Sequence, residues 1–176
     1  MKFRRIEEKD IPVCLEWYNW YIRNSRATFE TKELTLKEFA DRVHRVTASY
    51  PWIILEDPQP VGYAYLSAFN DRAAYDWTAD VSIYLRHDAG HQGYGTALMK
   101  QLIQMAEQDG YKHLVSIVSE GNAASERLHE DCGFEKAAFF RNFGYKHHQW
   151  IGVTYYVLTL SDQFEEEPSE PEDHDV

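Results

Sequence analysis

No stretch of this chain approaches the ~20 apolar residues needed to span a bilayer, and its first ten residues, MKFRRIEEKD, are charged from the start. A membrane segment and a secretory h-region are both missing, which sets the expectation of a soluble, cytoplasmic protein. Cysteine is scarce. Cys14 and Cys132 stand far apart without Cys-x-x-Cys spacing, so two reduced structural thiols are expected rather than a disulfide. No group of His, Cys and Asp has metal-ligand spacing, and no metal is implied. Basic residues are also short: 18 Lys and Arg against 29 Asp and Glu, a net charge of −11, give little support to nucleic-acid binding. Much of the acid excess is local. From Ser161 onward there are eight acids and no Lys or Arg, which leaves 21 acids against 18 bases in the body. Such a tail, with Pro168 and Pro171, buries too little apolar surface to order itself. One folded domain over 1–160 and a disordered acidic tail over 161–176 are therefore expected. Internal repeats and a second linker are absent, and 176 residues fill one core.

What is present is an aromatic-rich globular composition, 44% hydrophobic and 15% aromatic. Lys2–Ile6 reads as a strand. Asp10 reads as the N-cap of a helix with Pro12 in its first turn, running to about Tyr21. Thr35 and Glu38 form a capping box ahead of Phe39, Val43 and Val46 at helical spacing. Residues 51–55 and 61–67 read as a hairpin, and 78–85 as a further strand. A helix over about 93–109 carries Leu98, Leu102 and Met105 on one face and stops at Gly110. A short buried strand at 114–118 follows, then a helix capped by Asn122 and ending at Cys132-Gly133, and strands at 134–143 and 150–160. This order predicts an α/β fold with a mixed, mostly antiparallel sheet flanked by helices.

Two segments carry chemistry. The first runs from Ile83 to Leu98, where a strand enters a loop with Gly90, Gly93 and Gly95 as a helix begins. Glycines let the backbone approach an anion, and a helix N-terminus offers unpaired N–H groups. Taken alone, the same glycines also suit a tight strand-to-helix turn. No Gly-Lys-Ser/Thr follows, so this is not a nucleoside-triphosphate loop. The second segment is Asn122-Ala-Ala-Ser-Glu-Arg-Leu-His-Glu-Asp-Cys-Gly-Phe134.

Together these segments resemble the GNAT superfamily of acetyltransferases. Tyr18–Ile22, Thr28–Thr31, Tyr50–Trp52, Arg72–Thr78, Arg127–His129 and Gly144–His147 with Trp150 are similar to its phosphinothricin and methionine sulfoximine N-acetyltransferase branch. The likeness covers roughly residues 2 to 160. It implies the GNAT fold, with acetyl-CoA in a cleft where strands splay near residues 83 to 118. The CoA pyrophosphate would meet His91, Gln92, Gly93, Tyr94, Gly95 and Thr96. Pantetheine would pair with Ile83, Tyr84 and Leu85, and Asn122 and Ser125 would approach it from the helix. Gly90 departs from the family, where Arg or Gln usually stands.

An ammonium group attacks a thioester only after losing a proton. Asp80, where the branch usually has Glu, and His129 are the candidate bases. Outside the resemblance, Asp80 also reads as a strand-end carboxylate and His129 as a packed helix histidine. Arg72, Tyr75 and Trp77 form the expected amine pocket, with Arg72 clamping an anionic group. The resemblance implies direct acetyl transfer to a small amino acid or analogue, and a homodimer. A related enzyme for peptide N-termini or polyamines, or a silent CoA-binding module, are the alternative readings.

Overall fold

The computed structural model describes residues 1–165 and 167–174. Its strands are β1 (Lys2–Arg5), β2 (Trp52–Glu56), β3 (Pro60–Ala68), β4 (Thr78–Leu85), β5 (His113–Ser119), β6 (Glu135–Lys146) and β7 (Gln149–Thr159). The helices are α1 (Ile11–Asn24), α2 (Leu36–Thr47), α3 (Tyr94–Asp109) and α4 (Ala123–Asp131). The seven strands form one sheet in the order β1-β2-β3-β4-β5-β7-β6. Every neighbouring pair is antiparallel except β4 with β5. The mixed sheet expected from the element order is the one observed.

Side-chain alternation divides the sheet into two buried faces. Ile53, Leu55, Ala79, Val81 and Leu114 pack with Leu98, Met99 and Leu102 of α3. Trp52, Ile54 and Tyr63 point the other way, onto Cys14, Trp17 and Tyr18 of α1 and Phe39 and Val43 of α2. Each large apolar side chain buried in these layers contributes about 1.5–3 kcal/mol. Cys14 is fully buried and Cys132 half-buried; both are free thiols.

The helix signals act locally with one exception. Thr35 accepts from the Glu38 amide and Glu38 from that of Thr35, as the capping box requires. Gly110 closes α3 in the left-handed region at φ 91°, where glycine carries no Cβ penalty. Asp10 does stand at the N-cap of α1, but its carboxylate makes no capping bond. It instead accepts from Arg4 through both guanidinium ends, at 2.6 and 2.8 Å.

Among the described residues, none after Thr159 lies in a helix or strand. Phe164 stacks on His113, Glu165 pairs with Lys112 at 2.9 Å, and the Ser169 carbonyl accepts from the Trp77 indole at 2.8 Å. Asp173 pairs with Arg5 at 2.6 Å and His174 with Asp109 at 2.9 Å. Residues 166, 175 and 176 of the expected acidic tail lie outside the described residues. No helix among the described residues is long and apolar enough to cross a membrane.

Candidate active site

β4 and β5 stay paired for only three residues. Thr78 faces His113, Ala79 faces Leu114 and Asp80 faces Val115, and no pairing continues beyond them. β4 remains bonded to β3 along its other edge as far as Leu85. One edge of Val81–Leu85 therefore meets no strand among the described residues, and a cleft of about 720 Å³ opens there. Asp80 stands at the fork.

Three elements frame this cleft. Along one side run Ile83, Tyr84 and Leu85. Beyond their ends, Gly90, His91, Gly93, Gly95 and Thr96 turn the chain into α3. Gly93 has φ 80° and a Cβ there would meet nothing within 4 Å, so the backbone is bare to the cleft. The first helical bond at this end is Ala97 N–H to Gly93 O, and Gly93 provides no side-chain cap. The amides of residues 94–96 therefore have no partner within the helix, and they carry the positive end of its dipole. From the third side, α4 brings Asn122, Ser125 and His129. Asn122 Oδ1 caps this helix, accepting from the Ser125 amide at 3.3 Å. The arrangement suits an elongated ligand, with an extended portion along β4 and an anionic end at α3.

Asp80 and His129 sit on opposite faces of the sheet. Ala79 and Val81 point into the α3 layer, so Asp80, Ser82 and Tyr84 point toward α1 and α2. Burial pushes the Asp80 carboxyl up to about 7, against a smaller opposing effect from a hydrogen bond with the Val81 backbone. His129 is 5% exposed and packs between Phe134 and Tyr156. Its pKa is lowered by burial, which outweighs the opposing hydrogen bond to the Ser125 carbonyl.

The remaining expectations divide. Gln92 does not line the cleft, and the Tyr94 side chain is buried with its hydroxyl on Asp57 at 2.9 Å. The structure does not bring Arg72, Tyr75 and Trp77 into the cleft. Arg72 borders a shallow depression with Asn70 and Asp71, Tyr75 lies edge-on to Phe69, and Trp77 bonds to the tail.

Several cleft residues escaped the sequence reading. Tyr21 bonds to the Leu85 carbonyl at 2.8 Å, and Arg26, Thr28 and Phe29 enter from the α1–α2 connection. That connection is tied down: buried Lys146 donates to the Thr28 carbonyl at 2.6 Å, and Glu30 pairs with Arg42 at 2.6 Å. A Cβ on Gly144 would overlap the Phe29 ring, so glycine is what lets the connection close on β6. Ser116 and Ser119 also face the cleft. The signal for both was available: two hydroxyls in the otherwise apolar run Leu114–Ser119.

Comparison with known proteins agrees with this geometry. The acetyltransferase (GNAT) domain family matches residues 3–154. A phosphinothricin N-acetyltransferase of Streptomyces viridochromogenes is 32% identical over 157 residues, 89% of this chain and 86% of that protein. An L-methionine sulfoximine/L-methionine sulfone acetyltransferase of Pseudomonas paraeruginosa is 29% identical, over 86% of this chain and 90% of its own. Among solved structures, a GNAT superfamily phosphinothricin acetyltransferase from Sinorhizobium meliloti in complex with acetyl-CoA superposes with a TM-score of 0.90. It is 28% identical, covering 96% of this chain and 93% of that one. With a family match across most of its length, a forked sheet and a bare glycine turn at α3, the chain belongs to the GNAT acetyltransferase domain family.

Proposed function

We propose that this chain transfers the acetyl group of acetyl-CoA to the primary amine of a small amino acid or amino-acid analogue, by direct attack. The observation that carries the reading is Asp80. It is a half-buried carboxyl raised to about 7, at the fork where β4 parts from β5 and its edge opens into the cleft. The named relatives support the substrate class.

In this reading the free edge of Val81–Leu85 pairs with the pantetheine amides as an added strand would, and the amides of residues 94–96 receive the pyrophosphate. Asp80, ionised above about 7, takes the proton that makes the ammonium nucleophilic. Arg26 lines the cleft with Thr28 and Phe29 from the α1–α2 connection, where its guanidinium donates to Gln149, and it receives the substrate's anionic group. Cys14 is no nucleophile, since burial raises its thiol far above the normal range.

The test is a panel of amines with acetyl-CoA, read as released thiol. Acetylation of methionine sulfoximine, methionine sulfone or phosphinothricin is the expected result. Activity confined to polyamines or peptide N-termini overturns the substrate assignment. On the best amino acid, Arg26→Ala should raise KM roughly ten- to hundredfold, the effect of losing a charged hydrogen bond of about 1.5–3 kcal/mol. Arg72→Ala should leave KM near the parent value; the reverse pattern moves the anion to the β3–β4 connection.

The same reading includes a cytoplasmic setting, in which Cys14 and Cys132 stay reduced, and a homodimer. Phe139, Phe143, Tyr145 and Trp150 are each more than half exposed on the hairpin at one rim of the sheet, a large apolar patch for a single chain to leave in water. Sedimentation should give twice the chain mass, falling to one chain mass in Phe143→Glu/Trp150→Glu. A monomeric parent protein removes the dimer and leaves the acetyl transfer untouched.

A further inference from the structure

We infer that the Ser116 hydroxyl is the proton relay between His129 and the reacting atoms, so that His129 acts through Ser116 rather than directly. The inference rests on the acetyl-transfer reading above, and it concerns a residue that reading does not use.

The hydrogen-bond pattern determines which ring nitrogen carries the proton. His129 Nδ1 lies 2.6 Å from the Ser125 carbonyl oxygen, and a carbonyl only accepts, so Nδ1 is protonated. Burial holds the ring neutral, which leaves Nε2 with a lone pair. Nε2 lies 2.7 Å from Ser116 Oγ, so the hydroxyl donates to it. Phe134 and Tyr156 fix the plane of the ring from its sides, at 5.2 and 5.3 Å between centroids. Tyr156, from β7, is the one titratable side chain stacked on the ring among the described residues, and its hydroxyl is turned to Glu130 at 3.5 Å. Both ring nitrogens are thus engaged, and the one that exchanges protons is reached through a serine.

Ser116 is placed for this work. It follows Val115, the partner of Asp80, and so is the first β5 residue beyond the fork. Alternation along β5 puts Leu114 and Val118 in the α3 layer, and Ser116 with them. Asp80 therefore works from the amine-facing side of the sheet, and Ser116 from the side of α3 and α4, where the thioester sulfur lies in this reading. Ser116 is 5% exposed and borders the cleft.

The steps balance without another reactant. Asp80 takes one proton from the ammonium, and the amine nitrogen bonds to the acetyl carbon as the carbonyl electron pair moves to oxygen. The nitrogen of this adduct then gives a proton to Ser116 Oγ while the Ser116 proton passes to His129 Nε2. When the carbon–sulfur bond breaks, its electron pair leaves on sulfur. The oxyanion's electron pair re-forms the carbonyl as this bond breaks. The proton returns from Nε2 through Ser116 Oγ to the thiolate, His129 ends neutral as it began, and Asp80 gives up its proton to water.

The test uses the full chain, acetyl-CoA and the best amine of the panel. Ser116→Ala should lower kcat by ~10²-fold or more, within the range of a lost acid–base group. KM for both substrates, acetyl-CoA affinity by calorimetry and the melting temperature should stay near parent values. Ser116→Thr, which keeps a hydroxyl, should recover most of the rate. His129→Gln should lose about as much as Ser116→Ala, and the double variant no more than either, because the two groups form one path. Parent-level kcat in Ser116→Ala, no recovery with Thr, or losses that multiply in the double variant each overturn the relay. Absence of turnover by the parent protein on every amine would instead defeat the acetyl-transfer reading, so the two failures are distinguishable.

Discussion

Asp80→Asn lowers kcat/KM for acetyl transfer by ~10²–10⁴-fold, the usual effect of removing a positioned base, while acetyl-CoA still binds. In the parent protein, kcat/KM rises with pH up to about 7 and then levels, because the base is the ionised form and burial holds that ionisation near 7. In the variant this rise disappears. The same substitution stabilises the fold. A carboxyl whose folded pKa lies above its unfolded value binds protons more tightly when folded, so the parent loses stability as pH climbs from about 4 to 7. Asn has no charge to bury. Asp80→Asn should therefore be more stable than the parent, most at pH 8 and less at pH 5, by on the order of 2–4 kcal/mol of unfolding free energy at the higher pH, with a higher melting temperature to match. Parent-level turnover across the pH range would exclude Asp80 as the base, and a variant less stable than the parent at pH 8 would contradict its unpaired burial.

Asp10→Ala is expected to destabilise the fold by about 3 kcal/mol. Asp10 is 3% exposed and receives both ends of the Arg4 guanidinium and the Glu7 amide. Burial alone raises its pKa, but the hydrogen bonds from Arg4 and Glu7 outweigh this and hold it below the ordinary carboxylate value. Removing the carboxylate leaves Arg4, largely covered, with Glu56 as its main partner. For a chain of this length the loss corresponds to a fall of roughly 6–12 °C in melting temperature. Its contribution is present above the unfolded carboxylate pKa and lost as pH falls through the lower folded one. Equal melting temperatures for parent and variant at pH 7 would show that the pair contributes nothing net.

Asp10 also marks where sequence reading stops. Its position before α1 was legible, because Pro12 and the apolar spacing announce a helix start. Its partner was not, since nothing local reveals that Arg4 on β1 reaches it. The Thr35–Glu38 box was readable because both of its bonds close within four residues. β4 stood out as Thr78–Leu85 between polar turns, and the Gly-rich turn into α3 was visible as backbone chemistry. The residues expected to form the amine pocket do not line the cleft, for a geometric reason. Arg72, Tyr75 and Trp77 lie ahead of β4, in the connection that leads into it, whereas the cleft opens from Asp80 toward Leu85. Ser116 was visible as a hydroxyl in an apolar run, but its partner was not: alternation assigns it to a core face, and only the packing of α4 across β5 turns that position into a hydrogen bond with His129.

The parting of β4 from β5 puts a bare strand edge in the middle of the sheet instead of at its rim. Rim strands are commonly guarded against sticking by charges or proline, but Val81-Ser-Ile-Tyr-Leu85 has neither. In the proposed function pantetheine lies along that edge, and the guard is then a metabolite. A ligand that binds only the folded chain adds about 2.7 kcal/mol of stability at one hundred times its dissociation constant. Resistance to heat, proteases and edge-to-edge clumping should then follow the supply of acetyl-CoA. A cell poor in that metabolite would hold less of this protein, even with its synthesis unchanged.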